Sequence, residues 1–71
     1  AMLAVREEMY YQKGVEFYRL GLEYSPDRQI FLYNLFDMYR FRDDNENARK
    51  IGERIVEVYK NERVKQILQS L

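Results

Sequence analysis

The residues with the most chemical potential are four glutamates, Glu7, Glu8, Glu16 and Glu23, which could put a row of carboxylates along one helix. Such a row can hold a pair of metal ions inside a helical bundle, but those sites also need a Glu-x-x-His pair. This chain has no histidine at all. A base poised near neutral pH is therefore missing, and with no cysteine the usual thiol nucleophile is missing too. Gly14, Gly21 and Gly52 are scattered through helical patterns and form no phosphate-cradling loop. A solvated helix face accounts for the glutamates. The sequence gives no support for catalysis, for a metal or for any other cofactor.

Seven tyrosines and eight arginines raise a second chemistry, stacking on single-stranded nucleic acid. The tyrosines, however, recur at helical spacing among aliphatic residues, which is a packing pattern. Lys plus Arg and Asp plus Glu are twelve each, so the formal net charge is zero. A basic face that drives counterion release from nucleic acid is absent, as is a basic membrane-surface helix. No apolar run approaches the length needed to cross a bilayer, so membrane insertion of this segment is not expected. The sequence is silent on compartment, since the lack of cysteine removes the redox argument.

What must position these side chains is a set of helices, arranged around the stretch from Ile30 to Phe41. Nine of its twelve residues are apolar or aromatic. At helical periodicity Leu32, Leu35, Phe36 and Tyr39 form one stripe, widened by Phe31 and Met38. Ile30, Tyr33, Asp37 and Phe41 lie on the far side. A helix this apolar needs cover on more than one flank.

The pattern predicts a first helix over residues 2–24. Its stripe is Leu3, Arg6, Tyr10, Phe17 and Leu20, widened by Val15, Tyr18, Leu22 and Tyr24, and it runs through Gly14 without a break. Ser25-Pro26-Asp27 reads as the cap and first turn of a second helix that ends near Phe41. Asp43 and Glu46 have the spacing of a capping box for a third helix over about 45–60. Its inner arc is Ala48, Ile51, Gly52, Ile55, Val56, Val58 and Tyr59, opposite a charged face of Arg49, Lys50, Glu53, Arg54 and Glu57. Asn61 caps a short last helix whose stripe is Val64, Ile67, Leu68 and Leu71. Residues 1–71 thus read as one all-α domain of three long helices and a short one. The opening Ala1-Met2 reads as a cloning remnant or a cut inside a longer protein.

A shift of 34 residues pairs Gly14 with Ala48, Phe17 with Ile51, Leu22 with Val56, Ile30 with Val64 and Tyr33 with Ile67, matching size with size. On these residues the chain resembles the tetratricopeptide repeat, whose unit is a helix–turn–helix of that period. From Asp27 to Lys60, Leu32, Leu35, Tyr39, Ala48, Val56 and Val58 fall on the family's large, small and aliphatic positions. Upstream, Gly14, Tyr18, Gly21, Leu22 and Pro26 match a preceding second helix. The chain departs from the pattern at Phe36 (glycine in the family), Gly52 (a bulky aromatic) and Lys60 (proline). The first two departures suggest volume traded across the helix pair. About one and a half repeats plus a capping helix are expected, in antiparallel hairpins of the family's superhelical type.

The resemblance implies a protein–protein interaction module. Its partner groove, carried over by position, would present Ile30, Tyr33, Asn34, Asp37 and Phe41, with Arg40 at the rim. Tyr33 and Asp37 stand where carboxylate-clamping members place basic residues, so an apolar or basic segment is the expected ligand. Ile30, Tyr33 and Phe41 serve equally well as packing positions against the first or last helix. The other reading is a structural or oligomer-forming terminal piece with no separate ligand, docking on a parent protein or on a second copy. The ending, a repeat unit followed by Asn61–Leu71, is similar to tails on some bacterial membrane polysaccharide polymerases and ligases.

Overall fold

The computed structural model describes residues 2–71, with side chains from Arg6 onward; Ala1 and the Leu3 position of the first stripe fall outside that description. The described residues form four helices and no strand: α1 (Met2–Tyr24), α2 (Gln29–Phe41), α3 (Asn45–Tyr59) and α4 (Glu62–Ser70). Their lengths are 23, 13, 15 and 9 residues, so α1 alone is long and the expected three long helices become one long and two of middling length.

Each helix packs on its neighbours in sequence, α1 on α2, α2 on α3 and α3 on α4, and no other pair brings Cα atoms within 8 Å. The result is a slab of 41 × 30 × 15 Å. Its radius of gyration of 12.8 Å exceeds the roughly 11 Å of a compact domain this long. A body only 15 Å thick has little depth to bury, so the core is a seam rather than a sphere.

That seam is centred on α2. Leu32, Leu35, Phe36 and Tyr39 are buried, as their spacing required, and meet Ala48 and Ile55 of α3. Burying each large side chain contributes on the order of 1.5–3 kcal/mol. Two glycines let α1 approach α2. A methyl group on Gly14 would sit 2.8 Å from the Met38 thioether end, and one on Gly21 would sit 2.5 Å from the Phe31 ring. Phe31 and Met38 are seven residues apart, as are the two glycines, so two knobs enter two matching gaps. Gly52 does the same on α3, where a methyl would lie 2.7 Å from Phe36 and 2.7 Å from Leu68. The volume trade suggested by Phe36 and Gly52 is thus a direct contact.

Three expectations need correction. The first helix carries two apolar stripes, not one. Tyr11, Val15, Tyr18 and Leu22 pack on the core, while Tyr10, Phe17, Leu20 and Tyr24 are exposed. Second, Ser25 does not cap α2. Its N–H closes α1 on the Gly21 carbonyl (2.9 Å) and its carbonyl accepts from Arg28 N–H (3.1 Å), a turn that delays α2 to Gln29. Arg28 is the N-cap residue and offers no side-chain cap. Third, Asp44, not Asp43, caps α3, accepting from Asn47 N–H. Asp43 is unavailable because it sits left-handed (φ 56°) at the end of α2. There its N–H bonds the Arg40 carbonyl (3.0 Å) and the Asp44 N–H bonds that of Tyr39 (2.9 Å), the paired closure of a Schellman motif.

Lys60 closes α3 in the same left-handed conformation (φ 57°), where a proline, held near −65°, could not sit. Asn61 caps α4 as expected, accepting from Val64 N–H at 3.0 Å. Polar ties fix the turns. Asp27 takes the Arg54 guanidinium (2.7 Å) on its carboxylate and the Tyr59 hydroxyl on its carbonyl. Arg42, stacked 4.2 Å from the Tyr11 ring centroid, pairs with Glu8.

Candidate interaction surface

The faces of α2 and α4 that α3 leaves uncovered border a cleft of about 580 Å³. Phe36 of α2 with Val64 and Ile67 of α4 provide its apolar lining. Tyr33, Asp37 and Arg40 of α2 and Asn61 and Arg63 of α4 provide its polar lining. The two helices face each other because both pack on the same side of α3.

One end of the cleft is held rigidly. Asn61 uses its carbonyl oxygen to cap α4, and its amide donates to the Tyr33 hydroxyl at 2.6 Å. The Tyr33 ring in turn rests tilted on Tyr59, centroids 6.3 Å apart. Arg40 extends over the Phe36 ring, 5.4 Å from its centroid, and reaches Asp37 at only 3.9 Å. That pair is exposed, and such surface pairs contribute little to stability. Both guanidinium groups and the carboxylate therefore remain available to a ligand. With Arg40 and Arg63 against Asp37, the charged lining is net positive.

Of the six residues expected to form the groove, the cleft gathers Tyr33, Asp37 and Arg40. Phe41 is 84% exposed and borders two shallower hollows. One it shares with Tyr10, Tyr11 and Arg42, the other with Asp37, Arg40 and Leu71. Ile30 is 58% exposed and lines no cleft. Asn34 is half-buried and also lines none; its spacing puts it in the row of Phe31 and Met38, toward α1.

Arg63 and the groove-facing role of Asn61, Val64 and Ile67 escaped the sequence reading, which took α4 only as a capping helix. The signal was there, since the 34-residue shift superposes Val64 and Ile67 on Ile30 and Tyr33. Among the described residues there is no group of side chains able to hold a metal ion, and no helix is long and apolar enough to cross a membrane. Comparison with protein-family models, with curated proteins and with solved structures gives no match.

Proposed function

We propose that this chain is a protein-interaction module of tetratricopeptide-like build that binds an extended acidic–apolar peptide segment in the α2–α4 cleft. In this reading α2 and α3 form one repeat unit, the later part of α1 is the second helix of the unit before, and α4 is the first helix of the unit after. Two features support the repeat. The end of α1 and the end of α3, and likewise the starts of α2 and α4, are separated by the 34-residue period to within a residue. The helices also stack strictly in sequence.

The observation that carries the binding reading is the composition of the cleft. It has an apolar lining, one end fixed by the Asn61–Tyr33 hydrogen bond, and two arginines against one carboxylate. The expectation of an apolar or basic ligand rested on Tyr33 and Asp37, with Asp37 as the polar contact. Adding Arg63 from α4 reverses the preferred sign, because unlike charge across an interface steers and orients the partner.

The test is a titration of the isotope-labelled chain, by amide NMR, with short peptides of defined chemistry: acidic–apolar, basic–apolar and neutral. Acidic–apolar peptides are expected to shift resonances of α2 and α4, and Arg63→Glu or Tyr33→Ala to weaken that binding at least about tenfold. Asp37→Arg should strengthen it. Preference for the basic peptide, or shifts confined to other helices, would remove the assignment.

A further inference from the structure

The strongest unassigned feature lies on the other side of the slab. Along α1, Tyr10, Lys13, Phe17, Leu20 and Tyr24 alternate spacings of three and four residues, the seam register of a two-stranded coiled coil. The α2-facing stripe of Tyr11, Val15, Tyr18 and Leu22 is already used, so this is a second seam on the same helix, of which Phe17 also touches α2, edge-on to Phe31 with ring centroids 6.3 Å apart. Tyr10 is 70% exposed, Phe17 64%, Leu20 48% and Tyr24 88%. With aromatic side chains covering roughly 150–250 Å² each, the face offers on the order of 500 Å². That is near the upper end of the largest patch an ordinary monomer leaves open, about 300–600 Å². Two such faces brought together approach the roughly 1,000 Å² that separates a specific interface from a chance contact.

The charges on and beside the seam are polarised along the helix. Arg6 and Lys13 occupy seam positions in its first half with Glu7 beside them, and Glu16 and Glu23 flank its second half, so the seam is net positive first and net negative after. Among the described residues none of the five is paired within the chain. Laid parallel, two copies would set like charge against like. Laid antiparallel, each basic half meets an acidic half.

We infer that α1 is the seam of an antiparallel, two-fold homodimer. In the register that overlaps the seam from Arg6 to Tyr24, Tyr10 packs on the partner's Leu20 and Arg6 lies over the ring of the partner's Tyr24, beside the partner's Glu23. Two-fold symmetry repeats both contacts, as a self-complementary patch requires. The cation over an aromatic face adds to the ion pair. The interface lies at the small end of specific interfaces, so the dimer is weak and concentration-dependent. The α2–α4 cleft takes no part in it.

Sedimentation equilibrium of the full chain, from micromolar to millimolar concentration, reads this directly. The weight-average mass is expected to climb from one copy toward two. Leu20→Glu should weaken association at least about 30-fold, and Tyr24→Lys, at the most exposed position and clear of Phe31, should do the same. Arg6→Glu and Glu23→Arg should each weaken the dimer singly, and the two together should restore it. A monomer at every concentration would mean the face serves a different protein and would overturn the proposal, as would a dimer indifferent to both seam variants. Failure of the double charge reversal to rescue would overturn the antiparallel register.

Discussion

Placing a methyl group at Gly52 tests how α2, α3 and α4 share space. It would lie 2.7 Å from Cε1 of Phe36 and 2.7 Å from Cδ2 of Leu68, whereas ordinary contact begins near 3.4 Å. Leu68 is half-buried at the edge of the slab, and its branched end can swing aside. Phe36 is 2% exposed, and its ring is enclosed. Overpacking of this kind costs about 1–3 kcal/mol, against a gain of about 1 kcal/mol for replacing a mid-helix glycine with alanine. Gly52→Ala should therefore be neutral to about 2 kcal/mol destabilising. In a Phe36→Leu background the ring edge is gone and the helical gain stands nearly alone, so the same change should stabilise by up to about 1 kcal/mol. The coupling between the two sites is then about 1–3 kcal/mol, well above the roughly 0.3–0.5 kcal/mol scatter of independent sites.

Urea denaturation followed by far-UV circular dichroism measures all four corners of that cycle. The chain can tolerate it, since a domain of this length is stable by roughly 4–10 kcal/mol. Equal cost of Gly52→Ala in both backgrounds would refute the contact argument. Coupling to Leu68→Ala instead of Phe36→Leu would move the strain to α4. The complete exchange, Phe36→Gly with Gly52→Phe, carries the idea furthest: it should be milder than either change alone, and additive losses would end it.

The other two glycines of the core should part company. Gly14→Ala meets only the mobile end of Met38 and should raise stability by up to about 1 kcal/mol, while Gly21→Ala meets the Phe31 ring and should lower the melting temperature by several degrees. Asp43→Gly and Lys60→Gly relieve left-handed residues and should each stabilise by about 1 kcal/mol, measured as a shift in the urea midpoint. Burial pushes the Tyr39 phenol above its ordinary value, opposed by Arg19 and reinforced by Asp44. A raised folded value means that its contribution to stability is complete below about pH 10 and is lost as pH rises through the folded value. Melting temperatures measured through that alkaline range should therefore fall less steeply for Tyr39→Phe than for the parent chain, and an unchanged slope would contradict the burial argument.

Periodicity alone was enough for the helices and for the inner face of each of the last three. Leu32, Leu35, Phe36 and Tyr39 could not all face water, and Arg49, Lys50, Glu53, Arg54 and Glu57 could not all be dry. These are local facts, written at 3.6 residues per turn. The cap of α4 at Asn61 was legible for the same reason, since its partner is three residues away. What periodicity cannot show is which of two apolar stripes on α1 meets α2. Tyr10, Phe17, Leu20 and Tyr24 are as regular as Tyr11, Val15, Tyr18 and Leu22, and the pair Gly14 and Gly21 decided the matter by admitting Met38 and Phe31. The cap at Asp44 rather than Asp43 depended on how α2 closed. The cleft depended on two helices separated in sequence by α3, so Arg63 could acquire its place beside Arg40 only once the stack had formed. Sequence determined which residues had to be hidden; tertiary packing chose the neighbours, because close approach of helices depends on shape at a few points and not on how apolar each one is.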